Sequence, residues 1–296
     1  MNERLFFYSP VNFVRSINPQ TILKQQQEEL SGCEVIDVAV GQSSHKFYIK
    51  YLDWDSAYFG VQSYKLCFVS FDHADFSKVS AAVQQFLNQH VAKGAYLFIE
   101  IPSEDTLLIQ ALNANGFKLI ETRLTYFNHE LDRFNFDRHL VRAATPEDIE
   151  TLKQVAVSMR NDFDRFHADS VFDNTLADNY LSTYIENSIN GFADCVLVPA
   201  EPGLPSASFL TAKFLKESWK DYECNISKMV LSAVSAQLNK GWYKKLITEM
   251  TYFLRDEIGA ECIYMNTQSS NRAVIRTWEH LGYRLGAVHH ILSINK

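Results

Sequence analysis

The strongest constraint on this chain is that part of it occurs twice. The strings KGAYLFIEIPSEDTLLIQALNANGFKLIETRLTYF and IGAECIYMNTQSSNRAVIRTWEHLGYRLGAVHHILSI follow one order: glycine, a short apolar run, a helical stretch, a second glycine, then an aromatic and a basic residue. Gly94 and Gly116 stand 22 positions apart and Gly259 and Gly282 stand 23 apart, and the second glycines precede Phe117-Lys118 and Tyr283-Arg284. Self-similarity of this kind marks one supersecondary unit used twice. A chain of 296 residues also exceeds the usual domain of roughly 100–150. Two halves are therefore expected, 1–136 and 137–296.

Local patterns fill in each half. Phe76, Val79, Val83, Phe86, Leu87 and Val91 recur at helical spacing, so Asp72–Lys93 is predicted as a helix with one buried face, closed by Gly94. Tyr96–Ile101 has strand composition, Thr106–Asn115 is helical up to Gly116, and Phe117–Leu131 reads as paired strands. In the second half Thr145-Pro146 ends a strand, and Glu147 and Asp148 fall in a first helical turn, where the macrodipole favours acids. Val196–Pro199, the Glu201–Pro205 turn and Ser206–Phe214 predict a hairpin. Ser227–Val234 is then a strand, Lys245–Ile258 a helix, Ala260–Asn266 a strand, Arg272–His280 a helix and Tyr283–Ile294 strand-like.

Composition narrows the class. Apolar residues at 47% and charged residues at 21% exclude a disordered or fibrous chain. No apolar run approaches the roughly 18 residues of a membrane span, and the start does not read as a signal peptide, so a cytoplasmic protein is expected. The five scattered cysteines, with no Cys-x-x-Cys pair, read as reduced core thiols rather than a metal or redox site. A net charge of −7 argues against bulk attraction to nucleic acid or an anionic membrane. An anionic ligand would need a local arrangement. His289 and His290 are neighbours on a predicted strand and point to opposite faces, which disfavours a shared metal.

From Val141 onward the element order and three segments, VRAATPEDIETL, LSAVSAQLNKGWYKKLI and SSNRAVIRTWEHLGYRLG, resemble the GNAT N-acetyltransferases over about half the chain. The resemblance implies an α/β fold of two GNAT-like halves, each a mixed twisted sheet flanked by helices, the first of them degenerate. It implies acetyl-CoA as cosubstrate and a small-molecule amine as acceptor, without a metal and with a homodimer as one expected assembly. A narrower likeness is to nucleotide-amino-sugar acetyltransferases of the dTDP-fucosamine type. It rests on Leu52–Gly60 (LDWDSAYFG), Arg165–Asp169 (RFHAD) and Tyr184–Ser188 (YIENS).

Acetyl transfer needs geometry more than covalent help, because the thioester is already activated and the oxyanion is stabilised by placed donors. In the family the strand before the coenzyme loop splays from its neighbour. Here that strand is Met229–Val234, with Leu231, Ala233 and Val234 as expected main-chain contacts. The pyrophosphate is expected at the helix start near Gly241, where unpaired N–H groups face it, with Asn239, Lys240, Trp242, Tyr243 and Lys244 around it. One glycine of the family's loop survives in Gln237–Lys244. Asn271 and Trp278 complete the expected coenzyme set. Trp278 stands where the family often has a tyrosine, and indole is no proton donor, so Tyr264 or Tyr283 is the expected acid. His167 is the candidate base, with Glu217, Asp221 or Glu223 as alternatives through water. Trp54, Arg165, Asp169 and Glu217 are the candidate acceptor contacts. For Trp54, with Asp53 and Asp55, a strand starting at Tyr58-Phe59-Gly60 is an equal reading, and Arg160 and Arg165 also fit an exposed helix face. Two rival functions stay open: a GNAT-fold aminoacyltransferase, disfavoured by the lack of a basic surface, and a non-catalytic ligand-binding protein.

Overall fold

The computed structural model describes residues 3–296. After a 3-10 turn at Glu3–Tyr8 come α1 (Pro19–Ser31), β1 (Glu34–Val40), β2 (Ser43–Tyr51), α2 (Asp53–Phe59), β3 (Ser63–Ser70), α3 (Phe76–His90), β4 (Tyr96–Pro102), α4 (Thr106–Ala114) and β5 (Lys118–Asn128). Then follow β6 (Val141–Ala143), α5 (Ile149–Ser158), α6 (Arg165–Ala168), α7 (Asn174–Asn187), β7 (Cys195–Pro199), β8 (Ser208–Lys213), α8 (Lys216–Tyr222) and β9 (Ile226–Val234). The chain ends with α9 (Trp242–Phe253), β10 (Cys262–Gln268), α10 (Arg272–His280) and β11 (Arg284–Asn295).

Two compact units form. Unit 1 comprises the described residues up to Leu124, with Phe163–Phe172 and Ala287–Lys296, and unit 2 comprises Thr125–Asp162 and Asp173–Gly286. In unit 1 the strand order is β1-β2-β3-β4-β11-β5. Its β3/β4 pair is parallel, and β1/β2, β2/β3 and β4/β11 are antiparallel. In unit 2 the order is β5-β10-β9-β8-β7-β6, with β9/β10 parallel and β6/β7, β7/β8 and β8/β9 antiparallel. Each unit is thus a mixed sheet with helices, the expected fold class.

The elements form where local chemistry dictates. Helix α3 starts at Phe76 because the Asp75 carboxylate accepts the N–H groups of Ser77 and Lys78, so Asp72–Asp75 is loop and not the predicted first turn. Its stripe of Val79, Val83, Phe86 and Leu87 is buried in the first core, where Phe86 stacks on Phe47 with centroids 4.2 Å apart. Replacing such a ring by alanine costs about 3–5 kcal/mol. Thr145 and Asp148 form a reciprocal capping box ahead of α5, whose Leu152 and Val155 join Ile185, Val198 and Phe209 in the second core.

Several predicted elements differ. Phe117–Leu131 is one strand followed by a short 3-10 turn, not a pair of strands, because no turn residue interrupts it. Tyr58-Phe59-Gly60 ends helix α2 rather than starting a strand: Asp53 and Asp55 sit in its first turn and Gly60 takes the left-handed conformation, φ +67°. Helix α9 begins three residues before Lys245, directly after Gly241. The landmark glycines behave alike, Gly94, Gly116, Gly259 and Gly282 all having φ between +81° and +91°, a conformation that favours glycine over residues with a Cβ.

Candidate active site

The second unit carries the arrangement that the splayed-strand expectation describes. Strands β9 and β10 pair only over Ile226–Cys262, Ser227–Ile263 and Lys228–Tyr264, although β9 continues to Val234 and β10 to Gln268. On its other edge β9 stays with β8 as far as Val234, through a bulge between Leu210 and Ala212. The Thr211 hydroxyl stabilises that bulge, accepting from the Leu231 amide at 2.9 Å and donating to the Leu231 carbonyl at 3.2 Å.

This geometry decides which main-chain groups face the parting. Ser235 donates its N–H to the Ala207 carbonyl, and hydrogen-bonded pairs alternate along an antiparallel ladder. Ala233, opposite Phe209, therefore turns its amide and carbonyl to β8. Ser232 and Val234 turn theirs to the side that β10 has left. Of the three expected main-chain contacts, Val234 is so turned, Ala233 is turned to β8, and the Leu231 amide is occupied by Thr211. Ser232, which the sequence reading missed, takes their place.

Helix α9 opens at this end of β9. Its cap, Gly241, has φ +88° and no side chain, so no side-chain oxygen takes the first free N–H groups of the helix. Lys240 and Gly241 are exposed. Asn239 is buried, gives its side-chain amide to the Pro205 carbonyl at 3.1 Å, and leaves its Oδ1 without a hydrogen-bond partner. On β10, beyond the paired residues, Asn266 Oδ1 is also buried and unpartnered. Trp242 is buried with Lys245 over its ring, and exposed Lys244 lies 2.9 Å from His280 Nε2.

Tyr243 lies across this region. Its hydroxyl accepts the indole N–H of Trp278 at 2.8 Å, linking α9 to α10. Burial raises its pKa, partly offset by the neighbouring Trp278 and Ser232 side chains. Trp278, 3% exposed, packs against Tyr126 with the rings tilted at 59°. Asn271 caps α10 without a side-chain hydrogen bond to the helix.

The remaining expected residues divide. Tyr283 is 2% exposed and its hydroxyl is 2.8 Å from Thr251, whose own proton goes to the Ile247 carbonyl. It is thereby a core donor, raised in pKa by burial. Tyr264 is buried in the paired part of β10, with the Lys228 amine 5.4 Å from its ring. Glu217 is exposed on α8 in unit 2. Arg165, His167 and Asp169 belong to unit 1. Arg165 lies between the rings of Phe98 and Phe166 and pairs with Asp55 at 3.2 Å, so it is not on an exposed helix face. His167 Nδ1 is 2.8 Å from Asp164, its side chain only 3% exposed. Asp169 accepts from Ser293 at 2.6 Å. Trp54 is 50% exposed and stacks on Tyr58.

No family model matches the chain, and no curated protein is significantly similar to it. The solved structures similar to it define a class of fold, that of the GNAT acetyltransferases. A GNAT-family acetyltransferase from Colwellia psychrerythraea superposes with a TM-score of 0.51 at 13% identity, covering 93% of this chain and 96% of its own. A GCN5-related N-acetyltransferase from Sphaerobacter thermophilus gives 0.52 at 11% identity, with 92% and 85% covered. A conserved protein of unknown function from Staphylococcus epidermidis gives 0.53 at 12% identity, with 89% and 95% covered. At these identities the likeness establishes the fold.

Proposed function

We propose that the chain transfers an acetyl group from acetyl-CoA to a primary amine, and that the amine belongs to a nucleotide-linked sugar. One observation carries the acyl-transfer reading: β9 and β10 part after three residue pairs, beside a helix start that no side chain caps. Those features suit a ligand with an amide-bearing arm and a polyanionic end. Ser232 and Val234 would hold the arm, and the α9 amides that follow Trp242, whose own N–H goes to the Asn239 carbonyl, would hold the phosphates with Lys240 and Lys244. The coenzyme would supply an activated thioester. The chain's own contribution is orientation and placed donors. Tyr243, hydrogen-bonded to Trp278, would replace Tyr264 and Tyr283 as the candidate acid. The sugar acceptor rests on the sequence likeness at Leu52–Gly60 and on the exposed Trp54 ring.

A second reading, a GNAT-shaped protein that binds a ligand without turnover, is favoured by the Tyr243–Trp278 bridge, which an entering arm must displace. Calorimetric titration with acetyl-CoA, followed by dTDP- and UDP-linked amino sugars, separates the two. Micromolar binding with reaction heat on one sugar is expected. Binding without turnover on any amine supports the second reading, and absence of acetyl-CoA binding sinks the first.

A further inference from the structure

Unit 1 contains a second copy of the strand parting, and it is already filled. Strands β3 and β4 pair in parallel over Ser63–Tyr96, Tyr64–Leu97 and Lys65–Phe98, three pairs as in β9/β10, and then separate. The edge away from β4 also carries an irregularity, at Tyr48/Ile49, matching the bulge at Leu210/Ala212. Beyond the parting, the Val69 carbonyl accepts Arg4 Nη1 at 3.2 Å. The Arg4 guanidinium lies 3.8 Å from the centroid of Phe71, and Tyr8 meets Phe68 edge-on at 5.0 Å.

The far wall completes the arrangement. Asp105 occupies the cap position of α4 but makes no side-chain bond to that helix, as Asn271 makes none at α10. Its buried carboxylate instead accepts Arg4 Nε at 3.1 Å, Arg4 Nη2 at 2.5 Å and the Tyr8 hydroxyl at 2.7 Å. His289 Nε2 stands 3.2 Å from the Phe7 carbonyl. At the helix that follows β3, Asp75 covers the first amides with its own carboxylate, where α9 has only Gly241. What stays open is a cavity of about 740 Å³ whose wall includes Arg4, Lys46, Asp72 and His73.

We propose that Glu3–Tyr8 is the built-in occupant of unit 1's coenzyme-type cleft, so that this unit is a closed copy and the chain loads coenzyme only in unit 2. Two independent features enforce the closure. Arg4 and Tyr8 take the polar groups along the parting, and Asp75 sets a negative charge where a pyrophosphate would have to dock. The assignment of the loading site rests on the function proposed above, whereas the filling of unit 1 does not.

The test uses the full-length chain. Hydrogen exchange of the wild type and of the Arg4→Ala/Tyr8→Phe variant is compared, with Arg4→Lys as the milder variant. Exchange in segments 66–71 and 105–109 is expected to rise at least tenfold in the double variant and less in Arg4→Lys, with α9 and β10 unchanged. Unaltered exchange in those segments overturns the proposal. Native mass spectrometry with acetyl-CoA is expected to show one equivalent per wild-type chain, and two equivalents also overturn it. If acetyl-CoA does not bind at all, the reading of unit 2 falls, and exchange alone decides whether Glu3–Tyr8 fills unit 1.

Discussion

At the scale of single residues, Gly241 and Tyr243 control the candidate site in opposite ways. Gly241 was legible in the sequence through the likeness of Gln237–Lys244 to the GNAT coenzyme loop, although the helix itself was expected only from Lys245. The structure refines the reason. A Cβ at Gly241 would meet nothing within 4 Å, yet the residue has φ +88°, so a substitution is strained by backbone and not by crowding within the protein. Gly241→Val is expected to cost about 1–2 kcal/mol of stability and to weaken acetyl-CoA binding at least tenfold, read by calorimetry of unfolding and of binding. Unchanged affinity would mean that the α9 start does not hold the phosphates. Tyr243 was not legible as a bridge from α9 to α10, because its partner Trp278 stands 35 residues further on and only folding brings the two together. Tyr243→Ala removes that bridge, and acetyl-CoA is expected to bind several-fold more tightly, since the arm no longer has a side chain to displace. Weaker binding by this variant would show that the phenol holds the ligand rather than obstructs it.

At the scale of elements, the repeat was the most readable feature, since both of its glycine pairs share the left-handed backbone. The bulge in β8/β9 was not readable, because nothing in the residues of an apolar strand announces a register shift. Its stability depends on Thr211, which makes two bonds to Leu231. Thr211→Val keeps the shape and leaves both Leu231 groups unpaired, so a loss of about 1–3 kcal/mol is expected in chemical denaturation. The start of α5 gives a test by pH. Arg142, bonding Asp148 at 2.7 and 2.8 Å, is the first cause holding that carboxyl below its ordinary range, and the Thr145 amide assists. A depressed folded pKa means the stabilisation is complete above the unfolded value of about 3.9. It disappears as pH falls through the lower folded value. Asp148→Asn should therefore cost about 1 kcal/mol at neutral pH and nothing once the wild-type carboxyl is protonated, as thermal melts at pH 7 and about pH 2 will show.

At the scale of the molecule, halves cut at residue 136 do not coincide with the compact units. Unit 1 takes Phe163–Phe172 and Ala287–Lys296 from the later part of the chain, and the seven residues His289–Asn295 pair with β4. Sequence reading finds halves by their order along the chain. It has no signal for a strand that starts in one unit and ends in the other, as β5 and β11 both do. Residues 1–136 expressed alone are accordingly expected to lack a cooperative unfolding transition, and a sharp one would show that the early segments suffice. The same feature bears on biosynthesis. The first unit to leave the ribosome must wait for the last strand to be made, some 160 residues after Leu124, which is roughly 8–30 s at ordinary elongation rates. Throughout that interval the edge of β4 that will receive β11 is a naked strand edge of the kind that recruits other chains. A nascent-chain holdase is thus most useful to this protein in the stretch between those two points.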